Sequence, residues 1–342
     1  MGGVEKRLLY ILKKLKESGR YEPHVVCIHS KGPLAPFFEE AGIPVHLIKF
    51  NSRFDPRAIF RMVRLLRELG ADVVHTHMYR PGVSGAVAAR IYGAKLVGNV
   101  HNMEHWDNRR QLFVDRLFNP LRDVVVGVSQ AVVRDFCRRT SFPHERTKVV
   151  YNGVDVSEFE CGPKKGNGFL CLCVSRLVPQ KRLDRVVELF SRLREKMTNL
   201  SLFIIGGGPL LDELKEMTEG IADVRFLGER LDVNRYYSAA DVLFLLSEKE
   251  GFANVILEAM ASCVVPVVTD VGGNKEVVEH GKCGFLVEKG VCLSRVFLIP
   301  AYLKKLSINA RSKVERDFTL ENMFRMTDKI YGLLLHARTR AV

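Results

Sequence analysis

Short apolar runs alternate with amphipathic stretches along most of this chain. In the first half the apolar runs predict strands at residues 24–29, 45–47, 73–75, 95–101 and 124–128. In the second half they predict strands at residues 169–175, 201–205, 224–227, 242–245 and 266–269. The stretches between them predict helices at residues 4–18, 34–41, 56–69, 81–92, 130–139, 183–196, 209–217, 233–239, 254–261 and 274–280. Near-continuous apolar strands that alternate with helices are typical of parallel sheets covered on both faces.

The two halves of the pattern are separated by residues 161–168, whose glycines, proline and lysines are typical of a linker. A chain of 342 residues is also long enough for two domains. We therefore predict two doubly wound, Rossmann-like α/β domains, at residues 1–160 and 161–318, which face each other across a cleft. A final helix near 319–335 is expected to return to the first domain and to carry residues 319–342 with it. Ligands of such sheets bind beyond the carboxyl ends of the strands.

Charge and cysteine usage narrow the class of protein. The chain has 52 Lys and Arg against 39 Asp and Glu, a net charge of +13, which favours phosphate-rich partners. Basic and acidic residues are mixed, and no nucleic-acid fold signature accompanies them, so nucleic acid is not the expected partner. No apolar run is long enough for a membrane span, and a cytoplasmic protein is expected. The eight cysteines form no metal-type spacing and are interpreted as reduced, mostly buried thiols.

The segment from Ser175 to Lys181 joins a predicted strand to a predicted helix. Arg176 and Lys181 place a guanidinium and an ammonium group five residues apart, where they can grip a diphosphate together with the helix start. A solvated basic loop explains the same residues equally well.

A glycine-rich loop follows the next predicted strand. Gly206 and Gly207, with Gly208 and Pro209, allow the backbone to approach a ligand closely. The signal is weak alone, because many such loops are only turns, and this one is neither a GxGxxG fingerprint nor a phosphate-binding loop ending in Gly-Lys-Ser/Thr.

Two carboxylates, Glu250 and Glu258, bound the next segment, and Gly251 between them is expected to open a helix. Eight helical residues separate the carboxylates by about 12 Å. That is too far for a glycosidase acid and nucleophile at one bond. It suits two carboxylates that each accept hydrogen bonds from a separate polyol, such as a donor sugar and a nucleotide ribose. The alternative is one carboxylate at a helix start and one at the surface.

A histidine, His101, ends the predicted strand at 95–101. At a carboxyl strand end it can hydrogen-bond a sugar hydroxyl or a developing charge, although a lone histidine more often has a structural role. No Asp-x-Asp motif occurs in the chain, so no metal cofactor is expected.

Taken in order, these motifs resemble family 4 retaining glycosyltransferases of the GT-B fold. The resemblance extends over roughly residues 2–287 and resumes near Leu306. Further matching motifs are Asn152-Gly-Val-Asp155, Phe226-Leu-Gly228, Ala240-Asp241, Glu258-Ala-Met-Ala261, Gly272-Gly273 with Glu276, and Gly284-Phe-Leu286.

The resemblance implies roles for the candidate residues. Arg176 and Lys181 would bind the donor diphosphate and stabilise the leaving nucleotide, Glu258 would hold the ribose, and Glu250 and His101 would act at the donor sugar. The other donor-binding residues that it implies are Gly3, Gly206, Gly207, Gly251, Phe252, Ala253 and Asn254. The implied reaction is metal-independent transfer of a hexose, with retention, from a UDP- or GDP-sugar to a glycan or lipid-linked acceptor in cell-envelope polysaccharide or lipopolysaccharide synthesis.

Four arginines, Arg57, Arg61, Arg64 and Arg67, form a basic stripe on the predicted helix at 56–69. Since the family includes enzymes with lipid-linked acceptors, this helix could rest on the anionic inner face of a membrane. An ordinary solvated helix face is the alternative.

The chain also departs from the family. The first domain is expected to lack the strand that normally precedes the Gly2-Gly3 loop. Arg182 and Cys263 stand where glycine is usual, and residues 290–302 are apolar and Pro-broken where an acidic helix is usual. These departures keep open a catalytically impaired homologue that still binds nucleotide. A GT-B nucleotide-sugar epimerase is a third reading.

Overall fold

The computed structural model of the chain describes residues 3–51, 55–77, 79–103, 109–162, 168–287 and 300–339. Its helices are α1 (Gly3–Glu17), α2 (Ala35–Glu40), α3 (Pro56–Glu68), α4 (Tyr79–Tyr92), α5 (Arg109–Phe118), α6 (Gln130–Thr140), α7 (Leu183–Arg194), α8 (Leu211–Met217), α9 (Val233–Ala239), α10 (Asn254–Ala261), α11 (Asn274–Val277), α12 (Pro300–Asp317) and α13 (Leu320–Thr339). Its strands are β1 (Val25–Cys27), β2 (Val45–Leu47), β3 (Val73–His77), β4 (Lys95–Val100), β5 (Val124–Gly127), β6 (Thr147–Val149), β7 (Phe169–Val174), β8 (Leu200–Ile205), β9 (Val224–Gly228), β10 (Val242–Leu245), β11 (Val265–Thr269) and β12 (Phe285–Val287).

The chain divides into two compact units. Unit 1 comprises Met1–Gly153 and Leu320–Val342, and unit 2 comprises Val154–Thr319. The sequence places the seam at residue 161 instead. The boundary lies earlier because the Val154 N–H donates to the Phe318 carbonyl at 2.9 Å, and Val154 pairs with Thr319 as an isolated parallel bridge.

Unit 1 contains parallel strands in two described sheets, β1-β2 and β3-β4-β5-β6. The strands of the larger sheet are apolar on the side that meets α13. Val97, Val126 and Val150 form one cluster there with Ile330 and Leu334 of α13. The C-terminal helix therefore belongs to unit 1.

Unit 2 is built on one parallel sheet of six strands in the order β12-β11-β10-β7-β8-β9. The central strands are short and apolar, and all four residues of β10 are buried. Burial on both faces requires helices on both faces, as in a doubly wound domain. This order brings the carboxyl ends of β7, β8 and β10 to one edge of the sheet.

Most of the unusual segment at 290–302 lies outside the described residues, but Pro300 begins α12, so its last residues start a helix of 18 residues. In the part of the chain that is described, no helix is both long and apolar enough to cross a membrane.

Candidate functional site

The loop after β7 is held in place from two sides. The Ser175 N–H donates to Ile205 at 3.0 Å, and the Leu177 N–H donates to Gly207 at 2.9 Å. On the other side the Glu248 N–H donates to the Gln180 carbonyl at 2.9 Å. The loop after β7 is therefore fixed against the loops after β8 and β10, which brings the predicted motifs of unit 2 together.

The central contact of this site joins Lys181 and Glu250. Lys181 ends a 3₁₀ turn, and its Nζ lies 2.6 Å from Glu250 Oε1. The two side chains are 16% and 9% exposed, so the ion pair is largely removed from water. The sequence predicts both residues for the donor site but not their direct contact, because 69 residues separate them.

The second predicted cation, Arg176, is exposed at the carboxyl end of β7. Its guanidinium group has no hydrogen-bond or ion-pair partner among the described residues. A guanidinium group of this kind can bind an incoming phosphate without first breaking an internal bond.

Close packing requires glycines in the loop after β8. A Cβ atom on Gly206, whose φ is +139°, would lie 1.9 Å from the Ser175 carbonyl oxygen. A Cβ atom on Gly208, whose φ is +156°, would lie 2.4 Å from the Leu177 carbonyl oxygen. These two glycines let the loops after β7 and β8 pack together, so their presence is explained before any ligand is considered.

The segment between Glu250 and Glu258 differs from the sequence prediction at its start. Gly251 does not open a helix, because α10 begins at Asn254 and Ala253 is its extended N-cap residue. The 12 Å helical path therefore does not apply to the first residues of the segment. Phe252 and Ala253 are each 7% exposed, and the Phe252 ring packs on Phe318 with centroids 5.9 Å apart.

The second carboxylate, Glu258, lies on α10 and is half-buried. Its Oε2 accepts a hydrogen bond of 2.9 Å from the hydroxyl group of Tyr237. Tyr237 is fully buried, and this burial, with the nearby Glu258 charge, raises the pKa of the phenol well above its ordinary value. The phenol therefore remains a donor and orients the carboxylate. Sequence reasoning missed Tyr237, which stands in a helix without any motif.

Arg182 and Cys263 both adopt left-handed backbone conformations, with φ of +48° and +57°. These values explain why glycine is usual at the two positions. The Arg182 guanidinium group binds Asp184, with nitrogen–oxygen distances of 2.7 and 3.0 Å, rather than adding a free cation to the loop. Cys263 forms a disulfide with Cys161, so the expectation that the cysteines are reduced thiols is wrong for this pair.

In unit 1, His101 follows β4 and belongs to a row of three histidines. The His75 and His77 rings stack with centroids 4.4 Å apart, and His77 Nδ1 lies 3.5 Å from His101 Nε2. His75 Nδ1 is 2.6 Å from the Tyr331 hydroxyl group of α13. The row lines a cavity of about 40 Å³ between this sheet, α1 and α13. Gly3, the other predicted residue of unit 1, is the first residue of α1.

The histidines on β3 are held in the neutral form. Burial, together with the charge of His101, lowers the pKa of His75 to about 3. Burial lowers the pKa of His77 well below its ordinary value, with further contributions from His75 and His101. Two neutral imidazoles can donate and accept hydrogen bonds in the cavity but cannot serve as cations near neutral pH.

Across the described ranges, no three His, Cys, Asp or Glu side chains are grouped so that they could hold a metal ion. The expectation of a metal-independent reaction stays a prediction.

Comparison with known proteins identifies the family. The model described as Glycosyltransferase Family 4 matches residues 1–158, and the model described as Glycosyl transferases group 1 matches residues 157–291. The chain belongs to glycosyltransferase family 4. The sequence-based family prediction is confirmed.

Curated relatives of this glycosyltransferase include two bacterial enzymes. It is 24% identical to the UDP-Gal:alpha-D-GlcNAc-diphosphoundecaprenol alpha-1,3-galactosyltransferase of Escherichia coli, over 98% of this chain and 94% of that protein. It is 27% identical to the N-acetyl-alpha-D-glucosaminyl L-malate synthase of Bacillus anthracis, over 74% of this chain and 71% of that protein.

Among solved structures, the chain is similar to HepE of Anabaena in complex with UDP, with a TM-score of 0.85 at 23% identity. The match covers 97% of this chain and 96% of HepE. At this identity the similarity establishes the fold, and the predicted GT-B fold class is confirmed.

Proposed function

We propose that this glycosyltransferase transfers a hexose from a UDP- or GDP-linked donor, with retention of configuration, to a glycan or lipid-linked acceptor. The observation that carries the proposal is the desolvated Lys181–Glu250 pair, which joins the loops after β7 and β10 at the edge of the unit 2 sheet where β8 also ends. A cation and a carboxylate that are already fixed can bind a phosphate and a sugar hydroxyl with little reorganisation.

In this proposal the donor diphosphate is bound by Arg176 and Lys181. As the bond between the sugar C1 and the phosphate oxygen breaks, the electron pair and the growing negative charge stay on the leaving diphosphate. The exposed Arg176 and the Lys181 side chain, which Glu250 holds in place, both bind this negative charge. Charge stabilisation at the leaving group is the largest catalytic contribution that we expect from these residues.

The two glutamates hold the two polyols of the donor. Glu250, which keeps Lys181 in place, accepts hydrogen bonds from the donor sugar. Glu258, oriented by Tyr237, accepts them from the ribose hydroxyl groups. The sugar hydroxyl groups also meet the backbone at Phe252 and Ala253, while Gly251 and Asn254 shape the turn. Gly206 and Gly207 keep the neighbouring loop close to the diphosphate.

The proposed roles in unit 1 are those of His101 and Gly3. His101 contacts the donor sugar near the reacting carbon, and Gly3 opens α1 where an N-terminal helix end favours phosphate. The histidine row keeps the His101 ring beside His77, with centroids 5.7 Å apart. These assignments rest on the family resemblance and on the position of His101 at the end of β4.

The acceptor class is supported by the relatives. The Escherichia coli relative, as its name states, transfers galactose to a diphosphoundecaprenol-linked sugar. We propose an acceptor of the same broad class, a glycan or a lipid-linked sugar, and a role in cell-envelope polysaccharide or lipopolysaccharide synthesis.

A lipid-linked acceptor implies contact with the inner face of an anionic membrane, and the helices of unit 1 support this contact. The four arginines of the α3 stripe are all exposed, and Phe60 among them is 70% exposed. On α5, Phe113 and Leu117 are 68% and 63% exposed beside exposed arginines. Arginines around exposed large apolar residues fit a headgroup layer above acyl chains.

The acidic residue of α5 does not offset this charge at the surface. Asp115 is 1% exposed and binds Arg122 at 2.6 Å inside unit 1. The exposed residues of α5 are therefore only arginines and apolar residues, Arg109, Arg110, Phe113, Arg116 and Leu117. We propose that α5, with α3, is the peripheral membrane contact.

A thermal-shift screen across UDP- and GDP-sugars tests the donor assignment. A donor present at 100 times its dissociation constant stabilises the protein by about 2.7 kcal/mol. The shift should be lost in Glu258→Ala and kept in Glu213→Ala, which changes an exposed acid on α8. Equal shifts in both variants would contradict the ribose assignment. A shift without any turnover would instead favour the impaired homologue.

A further inference from the structure

Two cysteines far apart in sequence meet in unit 2. Cys161 and Cys263 are separated by 102 residues, yet their Cα atoms lie 5.2 Å apart and their sulfur atoms are bonded. Cys161 is exposed and Cys263 is half-buried, so small reagents can reach the pair from solvent.

The backbone at Cys263 is unusual for a residue with a side chain. Its φ of +57° lies in the left-handed region, which glycine adopts without strain. The residue stands two positions after the end of α10. A cysteine here carries a conformational cost that glycine would avoid, so its presence is explained by a bond that the side chain makes.

We propose that Cys161 and Cys263 are a redox-modification site, a thiol–disulfide couple that reacts reversibly with small-molecule disulfides of the glutathione type. The Cys161 thiolate attacks one sulfur atom of the disulfide and releases one glutathione thiolate. The Cys263 thiolate then attacks the Cys161 sulfur atom and releases the second. The glutathione disulfide is reduced to two thiols, while the protein forms one disulfide bond. The two protons that the cysteine thiols lose pass to the released thiolates.

The other described cysteines are poorer reactants for this exchange. Cys171 and Cys173 are fully buried in the strand β7, and burial raises the pKa of Cys173 to about 11. Burial also raises the pKa values of Cys27, Cys137 and Cys283. Since the thiolate is the attacking species, the raised pKa slows exchange at these five thiols relative to an ordinary exposed thiol.

The couple is connected to the carboxylate that we assign to the ribose. Phe159, two residues before Cys161, packs edge-on against Tyr237 with ring centroids 6.2 Å apart. Tyr237 donates to Glu258 on α10, the helix that ends just before Cys263. The disulfide thus links the segment that carries Phe159 to the end of α10, the helix that carries Glu258. Oxidation should therefore restrict the motion of the Glu258 carboxylate. This consequence rests on the proposed function, whereas the couple itself does not.

One contact maintains part of this arrangement without the disulfide. The Arg311 guanidinium group donates to the carbonyl of Phe159 at 2.8 Å and also to the carbonyl of Ala261. The reduced protein should therefore stay folded, with a severalfold rather than a complete change in ligand affinity.

The full chain equilibrated in glutathione buffers of graded oxidised fraction tests the couple. After alkylation and digestion, mass spectrometry should show a Cys161–Cys263 cross-linked peptide that increases with the oxidised fraction and disappears with dithiothreitol. Cys137→Ser should behave as the wild type, and Cys161→Ser should leave Cys263 open to alkylation. The same digest also measures the alkylation of Cys292, which lies outside the described residues. Alkylation of Cys161 and Cys263 at every ratio, or mixed disulfides alone, would overturn the proposal.

Calorimetric titration of UDP and of GDP into the oxidised and reduced protein tests the connection to Glu258. We expect severalfold tighter nucleotide binding by the oxidised form. Equal affinity in both forms overturns the connection and leaves the couple intact. No nucleotide binding by either form contradicts the proposed function instead, so the two failures are distinguishable.

Discussion

Lys181 Nζ and Glu250 Oε1 lie 2.6 Å apart in the candidate donor site, although the residues come from loops after different strands. The Lys181 and Glu250 side chains are 16% and 9% exposed, so water cannot fully replace the hydrogen bond and charge that either partner supplies. Removing one partner leaves an uncompensated, mostly buried charge, whereas replacing both leaves none.

The pair should therefore show strong coupling in stability. We expect Lys181→Met to lower the free energy of unfolding by about 2–4 kcal/mol, because Glu250 is left unpaired. Lys181→Met with Glu250→Gln should recover most of the loss. Urea unfolding of the two single variants and the double variant measures this coupling. Additive losses in the double variant would show that the two side chains act independently.

The glycine loop gives a second prediction. Gly206→Ala should lower stability by about 2 kcal/mol or more and weaken donor binding, because the new Cβ atom would meet the Ser175 carbonyl oxygen at 1.9 Å.

A matched control for that variant exists in the same unit. Gly220→Ala also changes a glycine with positive φ, +81°, but no atom lies within 4 Å of the new Cβ. It should cost about 1 kcal/mol, for backbone strain alone, with donor affinity unchanged. Equal losses in thermal unfolding would mean that the close approach at Gly206 is unimportant.

The lowered pKa values of His75 and His77 predict a dependence of stability on pH. Because the folded-state pKa values of His75 and His77 are depressed, the unfolded chain binds protons at these residues before the folded chain does. Their contribution is complete above the unfolded pKa, near 6.5, and falls as the pH drops from there toward the folded pKa of His75, about 3. The loss reaches about 1.4 kcal/mol per pH unit for each histidine.

Urea midpoints between pH 7.5 and pH 5 measure this loss. His75→Gln should flatten the pH dependence, while His144→Gln, at an exposed position, should leave it unchanged. A pH dependence that is the same in His75→Gln and the wild type would show that His75 takes up protons in the folded state.

Much of the fold follows from local pattern, because buried parallel strands are apolar throughout and amphipathic helices have a clear period. The predicted strand at 242–245 and the predicted helices at 233–239 and 254–261 have the same bounds in the structure. The strands β6 and β12, of three residues each, were missed, and β6 has a lysine at its centre that interrupts the apolar pattern. The helix α5 was missed because its arginines and exposed apolar residues do not form a clear core-facing stripe.

The site was predictable to a lesser degree. Motif order identified Arg176, Lys181, Glu250 and Glu258 in the sequence. The Lys181–Glu250 contact and the Tyr237 donor depend on tertiary packing between distant segments. The disulfide was missed for the same reason, since no local spacing relates residues 161 and 263.

Membrane contact through α5 gives a fourth prediction. Arg109→Gln with Arg110→Gln should weaken binding to anionic vesicles about tenfold to thirtyfold, since each basic residue near such a surface contributes about 1 kcal/mol. Lys304→Gln with Lys305→Gln removes the same charge from exposed positions on α12 and should have little effect. Sedimentation with vesicles containing phosphatidylglycerol measures both. Equal weakening in the two double variants would indicate attraction by net charge alone.

The most direct test of the proposed reaction is NMR observation of the sugar that is first released or transferred from α-linked UDP- and GDP-hexoses. We predict that the initial product has the α configuration, and that Lys181→Ala and Glu250→Ala, once shown to be folded, abolish its formation. A β product, or undiminished turnover in both variants, would contradict retaining transfer at this site.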